Sequence, residues 1–167
     1  MPPDDIEFLS PPGAIKPTGP WSLGVRAGDF VFVAGMRGID PATDKLVDGD
    51  EARIRQAFLN MQTIVAGAGG SLRDAVRLVV YVTDMDRYRP LVNKTQEEFW
   101  HAPSYPPRTI VEISRLNQDD IVEWKGRSFV RCAPQVRPMC NRRQKIKLVA
   151  SINYYQLPHK RRRAVAV

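Results

Sequence analysis

The sequence predicts an α+β domain with the element order β-β-α-β-α-β-β and both helices on one face of a sheet. Three observations favour this class. Residues 30–34 are almost wholly apolar, which is typical of a buried strand. Residues 54–65 carry apolar side chains at helical spacing. Residues 105–124, YPPRTIVEISRLNQDDIVEW, contain two alternating runs around a polar turn. A chain of 167 residues can bury a core for one such domain.

The first half of the chain supplies two strands and a helix. The segment WSLGVRAGDFVFVAG predicts two short strands joined at residues 27–29, and a loop follows in residues 36–49. Asp50 is the expected N-cap of the first helix, and the glycines at 67, 69 and 70 are expected to end it. Its apolar face consists of Ile54, Ala57, Phe58, Met61, Ile64 and Val65.

The second half predicts a strand within residues 74–85 and a helix from about Arg89 to Trp100, with Pro90 in its first turn. Two strands follow, about 108–115 and from 120 onward, and we interpret them as a hairpin. Arg108 stands at the start of one strand. Glu123 stands on the other, and the apolar pattern requires neither residue.

The charge is divided unevenly along the chain. Residues 1–123 contain 13 Lys and Arg against 18 Asp and Glu, whereas residues 124–167 contain 12 Lys and Arg and no acid. We therefore divide the chain into a proline-rich arm (1–19), a domain (20–130) and a basic tail (131–167). Such a tail either binds nucleic acid weakly by neutralising phosphates or is an appended or frame-shifted segment without a selected function.

Several functional classes are disfavoured. No apolar run approaches the ~20 residues of a membrane span, and the N-terminus lacks the features of a secretory signal, so the cytoplasm is the expected compartment. Cys132 and Cys140 have no nearby histidine pair, so we expect thiols and no metal. The motifs HExxH, GxGxxG and the P-loop are missing from the sequence. An enzyme of this sequence would depend on Arg, Glu and backbone groups.

Six segments, in order, resemble the RidA/YjgF imine deaminases, formerly named L-PSP endoribonucleases or translation inhibitors. The resemblance covers about residues 12–123. It implies a chorismate-mutase-like fold, a homotrimer, ligand clefts between subunits and no cofactor. The segments are GPW (19–21), FVFVAGMRGIDPATDKLV (30–47), residues 56–85 with Asn60, VNKTQEEFW (92–100), YPPRTIVEISRL (105–116) and Glu123.

The resemblance also implies a role for each candidate residue. Arg108 would bind the carboxylate of a 2-imino or 2-enamino acid, and Glu123 would hold or activate the attacking water. Both roles suit the side chains, because a guanidinium makes a bidentate pair with a carboxylate and a positioned carboxylate can accept a proton from water. Five further residues would lie beside the substrate: Trp21, Gly35, Arg37, Asn93 and Ile110. Arg37 would add a charge for a second acidic group.

Alternatives remain at the level of the sequence. Arg108 alone is readily explained as a weak surface partner of Glu112 or Glu123, and Glu123 alone as a charge that protects an edge strand. Two functions other than the deaminase remain open. One is a non-catalytic binder of small carboxylates on the same trimer, and the other is an RNA-binding or endoribonuclease-like protein that uses the basic tail.

Overall fold

The computed structural model describes residues 6–131 and contains a six-stranded sheet with two helices on one face. The helices are α1 (Asp50–Gly67) and α2 (Met85–Phe99). The strands are β1 (Ile6–Leu9), β2 (Gly24–Ala27), β3 (Phe30–Met36), β4 (Ile39–Asp40), β5 (Lys45–Leu46), β6 (Ala75–Val82), β7 (Arg108–Glu112) and β8 (Val122–Phe129). The sheet order is β1-β2-β3-β8-β6-β7, and β4 and β5 form a separate pair. The predicted α+β class is confirmed.

The core lies between the sheet and α1, as the helical spacing predicts. Alternate residues of β6 and β8 are fully buried against the helices, Trp124 among them. The Phe58 ring of α1 lies 3.6 Å from the Trp124 ring and 5.1 Å from the Phe99 ring, measured between centroids. A Cβ at Gly126 would lie 2.7 Å from the sulfur of Met61, so the glycine lets α1 approach the centre of the sheet.

Both helices begin differently from the prediction. Gly49, with φ 85°, precedes α1, so Asp50 is its first residue rather than its cap, and it bonds Arg87 at 2.6 Å. Helix α2 begins four residues before the predicted start. The Asp84 carboxylate accepts the backbone N–H of Arg87 at 2.9 Å and caps the helix there. Pro90 therefore lies inside the helix, beyond its first turn.

The predicted hairpin is wrong. Strand β7 pairs in parallel with β6, whereas β8 runs antiparallel to both β3 and β6 and lies between them. The physical reason is that β6, α2 and β7 form a crossover unit, and a crossover returns the chain parallel to the strand it left. The chain then passes back to insert β8 in the middle of the sheet, so β6 separates β7 from β8.

The ends of the chain meet the predictions only in part. Residues 6–9, expected in an extended arm, pair with β2 and form the edge of the sheet. The tail from residue 132 onward lies outside the described residues, and with it Cys132, Cys140 and the nucleic-acid hypothesis. Within residues 6–131, neither helix combines the length and the apolar composition that crossing a membrane requires.

Candidate active site

A pocket of about 370 Å³ opens beside the last residues of β3 and the first residues of β8. The segment 15–21 closes its other side. Four of the residues expected at the site line this pocket: Trp21, Gly35, Arg37 and Glu123. The structure thus brings together residues that lie more than 100 positions apart in the sequence.

Glu123 projects toward the face of the sheet that the helices leave open. Its neighbour Trp124 is buried against α1, and side chains alternate along a strand. Gly35 lies where the pairing of β3 with β8 shifts its register, between Val33 and Met36. A Cβ on Gly35 would overlap the carboxyl group of Glu123 and lie 2.8 Å from Oε2. A glycine is therefore needed at residue 35 for Glu123 to occupy this position.

Arg37 is buried, and its guanidinium is held by the loop that precedes β8. It donates to the backbone oxygen of Asn117 at 2.7 Å and to Oε1 of Gln118 at 3.0 Å. Nη1 also lies 3.8 Å from the carboxylate of Asp120. Arg37 thus lines the pocket, but its donors and its charge are directed to this loop. The expected role in binding a second acidic group has no support in these contacts.

The carboxyl group of Asp120 is buried between two arginines. Oδ1 accepts the backbone N–H of Ile121 at 2.7 Å and lies 4.0 Å from Nη1 of Arg53, and Oδ2 has no hydrogen-bond partner among the described residues. Burial raises the pKa of Asp120 above its ordinary value, although the backbone N–H groups and Arg37 and Arg53 act in the opposite direction. This carboxyl group anchors the loop that holds Arg37.

Arg108 lies away from the pocket, at the start of β7, and faces α2. Nη1 donates to Oε1 of Gln96 at 2.7 Å, and Nη2 donates to Oδ1 of Asn93 at 2.8 Å. Burial lowers the pKa of Arg108, and the positive charge of Arg89 lowers it further. The weak ion pair with Glu112 or Glu123, an alternative at the level of the sequence, is therefore wrong. Ile110 follows Arg108 at the next position on the same strand face and is half-buried.

Within one chain the arginine and the carboxylate do not meet. Arg108 is in register with Leu78, and Glu123 is in register with Tyr81, so β6 and three residues of strand length separate them. Their Cα atoms lie on the order of 14 Å apart by strand geometry. Leu78 is buried under the helices, whereas Tyr81 belongs to the open face, so the two side chains point to opposite faces. One copy cannot place both on the same small ligand.

Lys125 and Asn117 are among the lining residues that the sequence did not single out. Nζ of Lys125 lies 3.6 Å from Oε1 of Glu123 and 5.1 Å from the centre of the Tyr81 ring. The alternation of side chains along a strand could have predicted Lys125, because residues 123 and 125 lie on the same face. Asn117 gives no comparable signal, since it lies in an irregular loop whose path only the fold reveals.

Comparisons with known proteins agree with this architecture. Residues 12–126 match the family described as Endoribonuclease L-PSP. A RutC family protein of Pyrococcus horikoshii is 38% identical over 118 residues, covering 70% of this chain and 92% of its own. A 2-iminobutanoate/2-iminopropanoate deaminase of Dermatophagoides farinae is 32% identical over 119 residues, covering 70% of this chain and 90% of its own.

A solved structure from Rhodopseudomonas palustris, titled as a probable translation initiation inhibitor, superposes with a TM-score of 0.74 at 48% identity. The superposition covers 76% of this chain and 99% of that one. The family match, over residues 12–126, lies within the described domain. This chain belongs to the Endoribonuclease L-PSP family, which is the RidA/YjgF family that its sequence resembles.

Proposed function

We propose that this protein is a hydrolytic deaminase that converts 2-imino and 2-enamino acids to 2-keto acids and ammonia in clefts between the subunits of a homotrimer. The observation that carries the proposal is the carboxylate of Glu123, which faces an open pocket and lies directly over Gly35. A relative named as a 2-iminobutanoate/2-iminopropanoate deaminase supports the substrate class.

Arg108 is the proposed anchor for the substrate carboxylate. Two of its five N–H groups donate to Gln96 and Asn93, and these bonds fix the plane of the guanidinium. The N–H groups that remain can form a bidentate pair with a carboxylate. A planar, permanently charged group suits this task better than a lysine would. Asn93 thus contributes by orienting Arg108 and not by contacting the pocket of its own chain.

Glu123 handles water in the proposed reaction. Water adds to the carbon of the protonated C=N group while the carboxylate accepts a proton from it, which gives a carbinolamine. Glu123 then gives this proton to the nitrogen, the C–N bond breaks, and the hydroxyl group returns its own proton to the carboxylate, so the former water oxygen becomes the keto oxygen as ammonia leaves. Placing water and imine together supplies much of the rate, because an imine is already electrophilic. Trp21, at the rim of the pocket, shields the ligand from bulk water.

The opposite orientations of Arg108 and Glu123 require a second chain to complete the site. The open face of the sheet exposes large apolar side chains, with Phe8 at 58% and Phe30 at 41% exposure. The rings of Phe30 and Phe129 touch at 5.5 Å on this face. Exposed apolar area of this kind marks a protein interface. We assign the face to neighbouring copies, which bring the Arg108 of one subunit to the Glu123 of another.

The test uses imines generated in solution from alanine and 2-aminobutyrate by an amino acid oxidase, with ammonia release as the readout. We expect Arg108→Ala and Glu123→Gln each to lower kcat/KM by about 100-fold, since each removes a charged group that acts on the substrate. Arg115→Ala is the matched control, because Arg115 is exposed and pairs only with Asp119 at 3.3 Å among the described residues. It should retain the parental rate.

Three results would oppose the proposal. An Arg108→Ala protein with the parental rate would remove the carboxylate anchor. A protein that binds 2-keto acids but releases no ammonia would be a binder on the same scaffold. Light scattering should give three times the chain mass of 18.9 kDa, and a monomer would contradict the shared cleft.

A further inference from the structure

We infer that Lys125 is the second anion-binding group of the pocket and that it adapts the site to 2-imino acids with a second carboxylate. The inference rests on the proposed function and adds the class of substrate. Lys125 would bind the carboxylate at the far end of the substrate side chain. Arg108 of the neighbouring subunit would bind the carboxylate next to the imine.

The lining of the pocket is cationic. Three of its residues, Lys16, Arg37 and Lys125, carry a positive charge, and Glu123 carries a negative one. Two of the cations are already bonded to other groups of the protein. Lys16 pairs with Asp44 at 2.7 Å, and Arg37 bonds the loop before β8. Lys125 is therefore the lining cation that remains available to a ligand.

Lys125 is held only loosely. Its side chain is 47% exposed, and its Nζ lies 3.6 Å from the Glu123 carboxylate, beyond hydrogen-bond distance. The Tyr81 ring, 5.1 Å away, guides the ammonium group without accepting a full hydrogen bond. The flexible four-carbon side chain of lysine can thus redirect its three donors to an incoming anion at little cost.

The spacing along β8 fits a dicarboxylate. Residues 123 and 125 share the open face about 7 Å apart, which is two strand residues. A substrate whose reacting carbon lies beside Glu123 therefore extends its side chain along the strand toward Lys125. Imines derived from aspartate and glutamate carry a second carboxylate two or three bonds from the reacting carbon, and the flexible side chain of Lys125 can span the distance that remains. A substrate with a short apolar side chain leaves Lys125 beside Glu123 as it is now.

The test first measures binding of the stable 2-keto acid products by calorimetry. Oxaloacetate and 2-ketoglutarate represent the dicarboxylates, and pyruvate and 2-ketobutanoate represent the monocarboxylates. Lys125→Met should weaken dicarboxylate binding by about 10-fold and change monocarboxylate binding less than about twofold, as expected for one charge-assisted hydrogen bond. Lys125→Arg should retain the preference. Lys125→Met affinities that fall equally for both classes, or for neither, would overturn the inference.

Arg127→Met is the matched control. It removes one positive charge from the same face of β8, but Arg127 stacks on Phe32 at 4.7 Å and does not line the pocket. Its binding preference should equal that of the parent. A loss of preference in this variant would mean that the overall field, and not Lys125, selects the ligand. Light scattering on both variants measures whether their assembly equals that of the parent.

Turnover of imines made from glutamate and from alanine then separates this inference from the proposed function. If Lys125→Met loses activity only toward the glutamate imine, both stand. If no imine is turned over but the calorimetric preference depends on Lys125, the deaminase proposal fails and the assignment of Lys125 holds. A parent protein that binds neither class of keto acid would overturn the assignment.

Discussion

The carboxylate of Glu123 lies where a side chain on Gly35 would have to be, with Oε2 2.8 Å from the position of a Cβ. The contact joins two neighbouring strands, β3 and β8, at the point where their register shifts. The missing side chain on one strand thus creates the space in which the acid on the other can face the pocket. Any larger residue at position 35 must displace Glu123.

The first prediction concerns Gly35→Ala. The added methyl group pushes the Glu123 carboxylate out of its position, and we expect kcat to fall by about 100-fold because the acid no longer faces the attacking water. Gly19→Ala is the control, since its Cβ meets Trp21 only at ordinary contact distances of 3.4 and 3.5 Å. Ammonia release and far-ultraviolet circular dichroism are the measurements. Full activity in folded Gly35→Ala would contradict the geometry.

The second prediction separates charge from shape at Arg108. Arg108→Lys keeps the positive charge, but its three donors cannot bond Gln96 and Asn93 and also form a bidentate pair with a carboxylate. We expect kcat/KM to drop by about 10-fold or more, less than for Arg108→Ala, because the bidentate pair is lost while the attraction persists. Steady-state kinetics with the imine of alanine measure this. Equal losses in the two variants would show that charge contributes nothing.

The third prediction concerns Asn60, which fastens α1 to the turn after β3. Its Nδ2 donates to the backbone oxygens of Arg37 at 2.8 Å and Ile39 at 2.7 Å. Asn60→Ala leaves these buried acceptors unpaired and should lower the free energy of unfolding by about 2–4 kcal/mol. Urea unfolding is the measurement. Gln62→Ala, exposed on the same helix, should change it by about 0.5 kcal/mol or less.

The fourth prediction concerns pH and Asp120. Because burial raises the pKa of this carboxyl group in the folded protein, the folded state holds its proton more tightly than the unfolded state does. Its contribution to stability is then complete below the unfolded pKa and is lost as the pH rises through the folded one. The stability of the parent relative to Asp120→Asn should therefore fall as the pH rises above about 4. A difference that grows with pH would contradict the assignment.

Local patterns predicted the elements well and their pairing less well. The structure contains the predicted apolar face of α1 and the predicted alternation in β6. Burial on one side of an element produces such a pattern whatever the order of the strands. The position of β8 depends on which edge of β6 is free, since β7 occupies the other edge. No residue of β8 encodes that choice locally. We predicted a hairpin because β7 and β8 are consecutive in the sequence. The crossover from β6 through α2 to β7 instead leaves β6 between them.

The site was predicted in the same uneven way. Trp21, Gly35, Arg37 and Glu123, which we expected beside the substrate, line one pocket. Asn93 and Arg108 form a second cluster with Gln96, which the sequence did not single out. The two clusters lie apart because of the order of the strands and the direction of the side chains. A sequence motif specifies neither property. The residues that bond Arg37 belong to the loop before β8, and the sequence did not predict these contacts either.

The claim that two subunits build each site is tested most directly by mixing two inactive variants. Arg108→Ala and Glu123→Gln subunits are purified separately, combined in equal amounts, and allowed to exchange before ammonia release is measured. If each cleft takes Arg108 from one chain and Glu123 from its neighbour, about a quarter of the sites in random trimers regain both residues. The account predicts that activity returns toward that fraction of the parental rate. A mixture in which subunit exchange is demonstrated but activity stays at the level of the two variants would contradict it.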